Sequence, residues 1–235
     1  MTAQLRNGQN FEGTDLFWNP NTIVRAEKWS GTERELLAGR LGDKPALTTQ
    51  SQKEGLLTLL YQSTPNSVVY REYEKFFAFV MEKGHEQIVS EHNNRKLSKT
   101  VIREAYTRYA KSLIAVGAGQ GADVGRDLEI EIIALNNPYA ADPKEQMQFE
   151  VRYQNTVLPA NRVTLFAKKP DGSVATSHQE TNKDGIVTFQ LAAGTTYLLD
   201  TVIIRQPSRK LAVQTGGAVW ESLWASLTFQ IPYGQ

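Results

Sequence analysis

Apolar residues change their spacing twice along the chain, and the three stretches this defines predict different structure. Over residues 2–70, short apolar and aromatic runs are broken by turn-forming residues at Asn7-Gly8, Glu12-Gly13, Asn19-Pro20, Ser30-Gly31, Gly42-Asp43 and Thr64-Pro65-Asn66. Between these turns, residues 56–61 and 68–70 are rich in aliphatic and aromatic side chains and read as strands. The first stretch is therefore expected to be all-β.

In the second stretch the period lengthens. Phe76, Phe77, Val80, Met81 and Ile88 recur at helical spacing, with charged residues between them. After the polar break His92-Asn93-Asn94, a second helix is expected to begin at Ser98, a good N-cap residue. Beyond it Val101, Ala105, Tyr109 and Leu113 fall every fourth residue, and Ile102 and Tyr106 widen the stripe. The spacing predicts a helical pair over about 72–113, with Arg95, Lys96, Lys99, Arg103, Arg108 and Lys111 on its solvated face. Its apolar faces must lie on a sheet or form a groove for a partner.

The third stretch alternates again. Residues 117–125 (GAGQGADVG) are small and non-periodic, and they lack the lysine of a phosphate-binding loop. After them Leu128, Ile130 and Ile132 alternate, then Met147, Phe149, Val151 and Tyr153, then Val163, Leu165 and Ala167. The segment Thr181-Asn182-Lys183-Asp184-Gly185 carries a tight-hairpin signal ahead of Val187, Phe189 and Leu191, and residues 224–231 form a last strand. Regular strands with such turns predict a sandwich. The expected architecture is all-β with a helical insertion. Two immunoglobulin-like β-sandwich domains stand in tandem over 1–122 and 123–235, with the helical pair belonging to the first.

Composition narrows the function classes. The chain holds 26 Lys and Arg against 25 Asp and Glu, a net charge of +1, which gives no basic field for nucleic acid. It contains no cysteine, so thiol catalysis, disulfides and cysteine-rich zinc sites drop out. No stretch approaches the roughly 20 apolar residues that cross a bilayer.

Few residues offer chemistry. His85 and His92, with Glu86 nearby, combine imidazole and carboxylate in a way that suits nickel, cobalt, zinc or copper. On one helix the two rings would stand about 10 Å apart, too far to share an ion without a break. The plain alternative for these residues is a solvated helix end. His178 lies between two turn signals and reads as an exposed strand or loop residue. Glu129 and Glu131 alternate as on an exposed strand face, and nothing pairs them across a cleft as a glycosidase requires. Trp220 and Trp224, four apart on a strand, share a face. Turned inward they are core; turned outward they form a platform for a sugar or protein.

Two resemblances add to this reading. TNKDGIVTFQLAAGTTYLL resembles the Asp-Gly turn and aromatic strand of transthyretin-like and carboxypeptidase-regulatory-like domains, which implies a sandwich fold. More widely, LRNGQNFEG, EKFFAFVMEKG, REAYTRYAKSLIAVG, LEIEIIALNNPY and WESLWASLTFQI, in this order, resemble an exported bacterial family, the domain-of-unknown-function family 4198. That resemblance implies a periplasmic or extracellular protein linked to nickel or cobalt uptake. It also implies an export leader ahead of Met1 and a partner such as a membrane transporter component or another envelope protein. The expected function is a non-enzymatic accessory or binding protein. The alternatives are an adhesive module for protein or carbohydrate, and a hydrolase with an interdomain site.

Overall fold

The structure, a computed structural model, describes residues 2–51, 53–140 and 146–233. The first stretch forms β1 (Thr2–Ala3), β2 (Leu5–Asn7), β3 (Thr14–Leu16), β4 (Ile23–Ser30), β5 (Glu33–Leu36), β6 (Leu47–Thr48), β7 (Gly55–Ser63) and β8 (Asn66–Tyr70). Two short helices follow, α1 (Tyr73–Glu82) and α2 (Glu86–Asn94), and then the long strand β9 (Ile102–Val116). The remainder is β10 (Ile130–Ala134), β11 (Gln146–Tyr153), β12 (Thr156–Val157), β13 (Arg162–Lys168), β14 (Val174–Glu180), β15 (Ile186–Gln190), β16 (Thr196–Arg205), the short α3 (Arg209–Gln214) and β17 (Trp220–Gln230). The fold is mostly β, as the alternation predicts.

A nine-stranded sheet dominates, in the order β14-β13-β16-β17-β9-β7-β4-β5, with β8 pairing the N-terminal part of β9. Its neighbours run antiparallel except β17 and β9, which run parallel from Trp220 opposite Glu104 to Thr228 opposite Ser112. A four-stranded sheet of β10, β11, β12 and β15 lies against one face. Along each strand, alternate residues point into this interface, as the two-residue period of a strand requires. Leu60, Tyr109, Leu113, Leu199, Leu223 and Leu227 from the large sheet meet Ile130, Ile132, Met147, Phe149 and Val151 from the small one. Fully burying a side chain of this kind contributes about 1.5–3 kcal/mol.

The expected division near residue 122 falls in the connection between β9 and β10. Both the large sheet and its core continue across it.

The opposite face of the large sheet has two covers. At one end α1 and α2 lay Phe76, Val80 and Ile88 on Ile102, Val202, Ile204 and Trp220. At the other end the β1–β6 and β2–β3 ribbons belong to the N-terminal segment, whose Trp18, Leu37 and Leu47 pack with Leu57 and Leu59.

Three sequence expectations need correction. The second helix expected from Ser98 is the strand β9, so the helical pair is α1 and α2 and ends at Asn94. A spacing of four keeps one face in a strand as well as in a helix, and the faces of β9 are mixed in polarity, with Thr107 and Lys111 inward and Tyr106 and Ala110 outward, which hides the alternation. The basic residues assigned to a helix surface accordingly divide: Lys111 is buried and Arg108 half-buried. The Asp-Gly signal does make a turn, with Gly185 at φ 73° and Asn182 Oδ1 accepting the N–H groups of Asp184 and Ile186. It is not a hairpin, because β14 pairs β13 while β15 pairs β11 in the other sheet.

Glu131 is the third correction. It is buried beside Lys111, whose Nζ lies 2.9 Å from Glu131 Oε1 and 2.8 Å from Asp123 Oδ1. Glu131 also accepts the Arg126 N–H, and Asp123 accepts the Ala134 N–H. Three charged side chains thus sit between the sheets, fixing the loop after β9 against β10. Removing the cation strands two buried carboxylates, so Lys111→Met is expected to cost about 3–5 kcal/mol in urea unfolding. A loss below about 1 kcal/mol, within the range of exposed pairs, would show that the cluster is solvated.

Candidate functional site: a groove on the open face of the sheet

The side chains of the large sheet that point away from the core are unequal in size, and this shapes a groove. In register across the strands, Asp200, Ser226, Ala110 and Tyr61 form one row. The next row holds Phe166, Leu198, Thr228, Ser112 and Leu59. Ala110, Ser112, Ser226 and Thr228 are small and central, while Tyr61, Phe166, Leu198 and Trp224 rise around them. The depression between the helices and the N-terminal ribbon is a cavity of about 490 Å³. Leu5, Arg6, Phe11 and Leu16 of the ribbon close its far side. This volume lies in the range of small-molecule sites.

The charges in the groove differ in how they are satisfied. Asp200 is buried beside Lys83, whose Nζ donates to Asp200 Oδ2 at 3.0 Å. Burial pushes the Asp200 carboxyl up, opposed by Lys83. Arg6 pairs with Asp15 at 2.8 Å. Arg108 is different. Its guanidinium lies 5.1 Å from the Tyr106 ring centroid and 5.4 Å from that of Trp224, and among the described residues it has no carboxylate in ion-pair range. Burial lowers its pKa, which marks a charge held partly out of water.

Trp224 is the hinge of the site. Its ring stacks on Phe79 at 5.5 Å, Lys83 Nζ stands 5.0 Å from its centroid, and its Nε1–H donates to Ser222 Oγ at 2.8 Å. Ser222 in turn donates to Glu104, which also accepts the Tyr70 hydroxyl at 2.8 Å. Burial pushes the Glu104 carboxyl up to about 7, against the pull of Ser222 and Tyr70.

The expected metal residues lie elsewhere, under the helices. His92 is buried, its Nε2–H donating to Ser98 O at 3.1 Å while Nδ1 accepts the Trp220 Nε1–H at 3.0 Å. His85 is also buried, its Nε2–H donating to Val202 O at 2.8 Å and its Nδ1 3.3 Å from Gln87 Nε2. Neither is the solvated helix end that the sequence allowed. Burial lowers both imidazole pKa values and keeps the rings neutral. Glu86 is exposed in the first turn of α2. Among the described residues no three His, Asp or Glu side chains gather as a metal site. Trp220 and Trp224 share a face as expected, yet only Trp224 reaches the groove; Trp220 is fully buried against Phe76. Of the two carboxylates taken for an exposed strand face, Glu129 pairs with Arg205 at 2.6 Å.

Arg108, Tyr61, Phe166 and the small floor residues did not stand out in the sequence. Reading residues 102–116 as a strand would have exposed the signal, because Arg108 then shares a face with Ala110 and Ser112.

Among known families, the model described as "Domain of unknown function (DUF4198)" matches residues 1–205, and the chain belongs to that family. No curated protein and no solved structure matches the chain.

Glu104 generates a pH prediction. Its folded pKa of about 7 lies above the unfolded value of 4.5, so the stability it contributes is fully present below about 4.5 and lost as pH rises through 7. His85 and His92, with lowered pKa values, act in the opposite sense: their contribution is present above 6.5 and lost as pH falls. Comparing Glu104→Gln with wild type isolates the carboxyl. The stability difference is expected to move by on the order of 3 kcal/mol in favour of the variant between pH 4.5 and pH 8. A difference independent of pH would mean that folding leaves the Glu104 pKa at its ordinary value.

Proposed function

We propose that this protein is a non-enzymatic binding protein whose ligand is a small molecule lying in the groove beside Trp224. The observation that carries this reading is the groove itself: a preformed cavity of about 490 Å³ with aromatic and aliphatic walls, a floor of small hydroxyl-bearing residues, and charged groups at its ends. Sites of this composition hold small organic molecules by apolar burial and use isolated polar groups for orientation. No histidine lines the groove, and its hydroxyl groups on Ser112, Ser226, Thr196 and Thr228 have no imidazole among the lining residues to activate them. That donor set favours binding over turnover.

The resemblance to exported proteins supports action outside the cytosol, and a link to nickel or cobalt uptake rests on that resemblance. Partnership with a transporter component would then be a delivery step, with the groove presenting its cargo.

Filling the floor tests the reading. N-phenyl-1-naphthylamine, a neutral fluorescent probe, is expected to bind wild type saturably at about one site per chain and to quench Trp224. Ser226→Trp should weaken that binding at least about tenfold, about 1.4 kcal/mol, while leaving the melting temperature close to wild type. Equal binding by the variant would place the probe outside the groove and remove the proposal.

A further inference from the structure

Resting on the groove reading, we infer that the ligand is a small organic anion with an apolar acyl or aryl body, whose acid group pairs with Arg108.

The floor of the groove is polarised along its length. Arg108 and Trp224 sit opposite each other at the end nearest the helices. From there the floor runs over Ala110 and Ser226, then Ser112 and Thr228, between the walls of Tyr61, Phe166 and Leu198. Six residues along the strand direction separate the row of Val202, which carries Trp224 and Arg108, from the row of Thr196, which carries Lys168. At about 3.3 Å per residue that is about 20 Å, so one acid group meets Arg108 or Lys168 but not both.

Arg108 is the better anchor. Lys168 is exposed, whereas Arg108 is half-buried with its guanidinium near the Tyr106 and Trp224 rings. An aromatic neighbour leaves the planar fork of an arginine free for two parallel hydrogen bonds to a carboxylate. Holding a cation partly out of water without a carboxylate in contact is costly, and a ligand acid group would offset that cost. The lowered pKa of Arg108 reflects the same burial.

Glu104 and Asp200 favour its charge from a distance, but neither acid reaches ion-pair range. Asp200 is engaged by Lys83 at 3.0 Å. Glu104, four residues earlier on the same strand, is held by Tyr70 and Ser222. Glu12, the remaining acid lining the groove, is exposed. The walls beyond Arg108 offer apolar surface, which fits a hydrocarbon or aromatic body and disfavours a polyanion or an inorganic ion.

Titration calorimetry of the full chain with octanoate, octanol and octylamine reads this directly. Wild type is expected to bind octanoate at least tenfold more tightly than octanol, with octylamine weakest. Arg108→Gln should lose at least tenfold for octanoate and leave octanol unchanged, and Arg108→Lys should recover part of the loss. Equal affinities of wild type for octanoate and octanol, or tighter octylamine binding, would overturn the inference while leaving a neutral-ligand groove standing. That comparison needs no variant to fold. If Ser226→Trp binds octanoate as wild type does, the site lies outside the groove and both the inference and the binding reading fall.

Discussion

The parallel pairing of β17 with β9 is the constraint on which the other features rest. It brings the last strand of the chain beside one laid down more than a hundred residues earlier, from Trp220 opposite Glu104 to Thr228 opposite Ser112. One face of this pair presents Tyr109, Leu113, Leu223 and Leu227 to the small sheet. The other face presents Trp220 to the helices and Trp224, Arg108, Ala110 and Ser226 to the groove. A slip of β17 by one residue against β9 would turn Leu223 and Leu227 into the groove and Trp224 and Ser226 into the core. Core and site are therefore two consequences of one alignment.

Polar groups at the edges of this pair are satisfied in different ways, and the differences separate structure from function. His92 exchanges hydrogen bonds with Trp220 and Ser98, and Lys111 lies between two carboxylates. Such fully engaged groups fix elements relative to one another. Arg205 does the same at the sheet margin, where Glu129, Glu221 and the Tyr153 hydroxyl hold it and raise its pKa. Arg108 stands apart because rings, not carboxylates, lie against its charge, while Glu104 and Asp200 act on it only from a distance. Natural proteins leave few buried charges uncompensated, so a half-buried cation facing a cavity points to a counter-ion supplied by a ligand.

Much of the fold was legible in the sequence. β7 and β8 follow from their apolar and aromatic content, β10, β11, β13 and β15 from alternation, β17 overlaps the expected last strand, and α1 follows from Phe76, Phe77 and Val80. What escaped was residues 102–116, where apolar residues four apart satisfy both periods and mixed polarity on each face blurs the alternation. The Asp-Gly turn was recognisable, but a local signal does not say whether the next strand stays in its sheet. The groove was illegible for the same reason as β9. Its floor is made by small residues on two strands far apart in sequence, and only their pairing sets Ala110 beside Ser226. Trp224 carried a sequence signal because tryptophans four apart on a strand must share a face; Arg108 carried none while it was read as helical.

A pair of cysteines tests that alignment most directly, since the chain has no cysteine of its own. Ala110→Cys with Ser226→Cys sets two thiols on register partners facing the groove, within the short Cα separation a disulfide requires. An intramolecular disulfide is expected on mild oxidation of this pair, and none when Ser226→Cys is replaced by Leu223→Cys, which faces the core. Cross-linking of the Leu223 pair, with both thiols free in the Ser226 pair, would rule out this register.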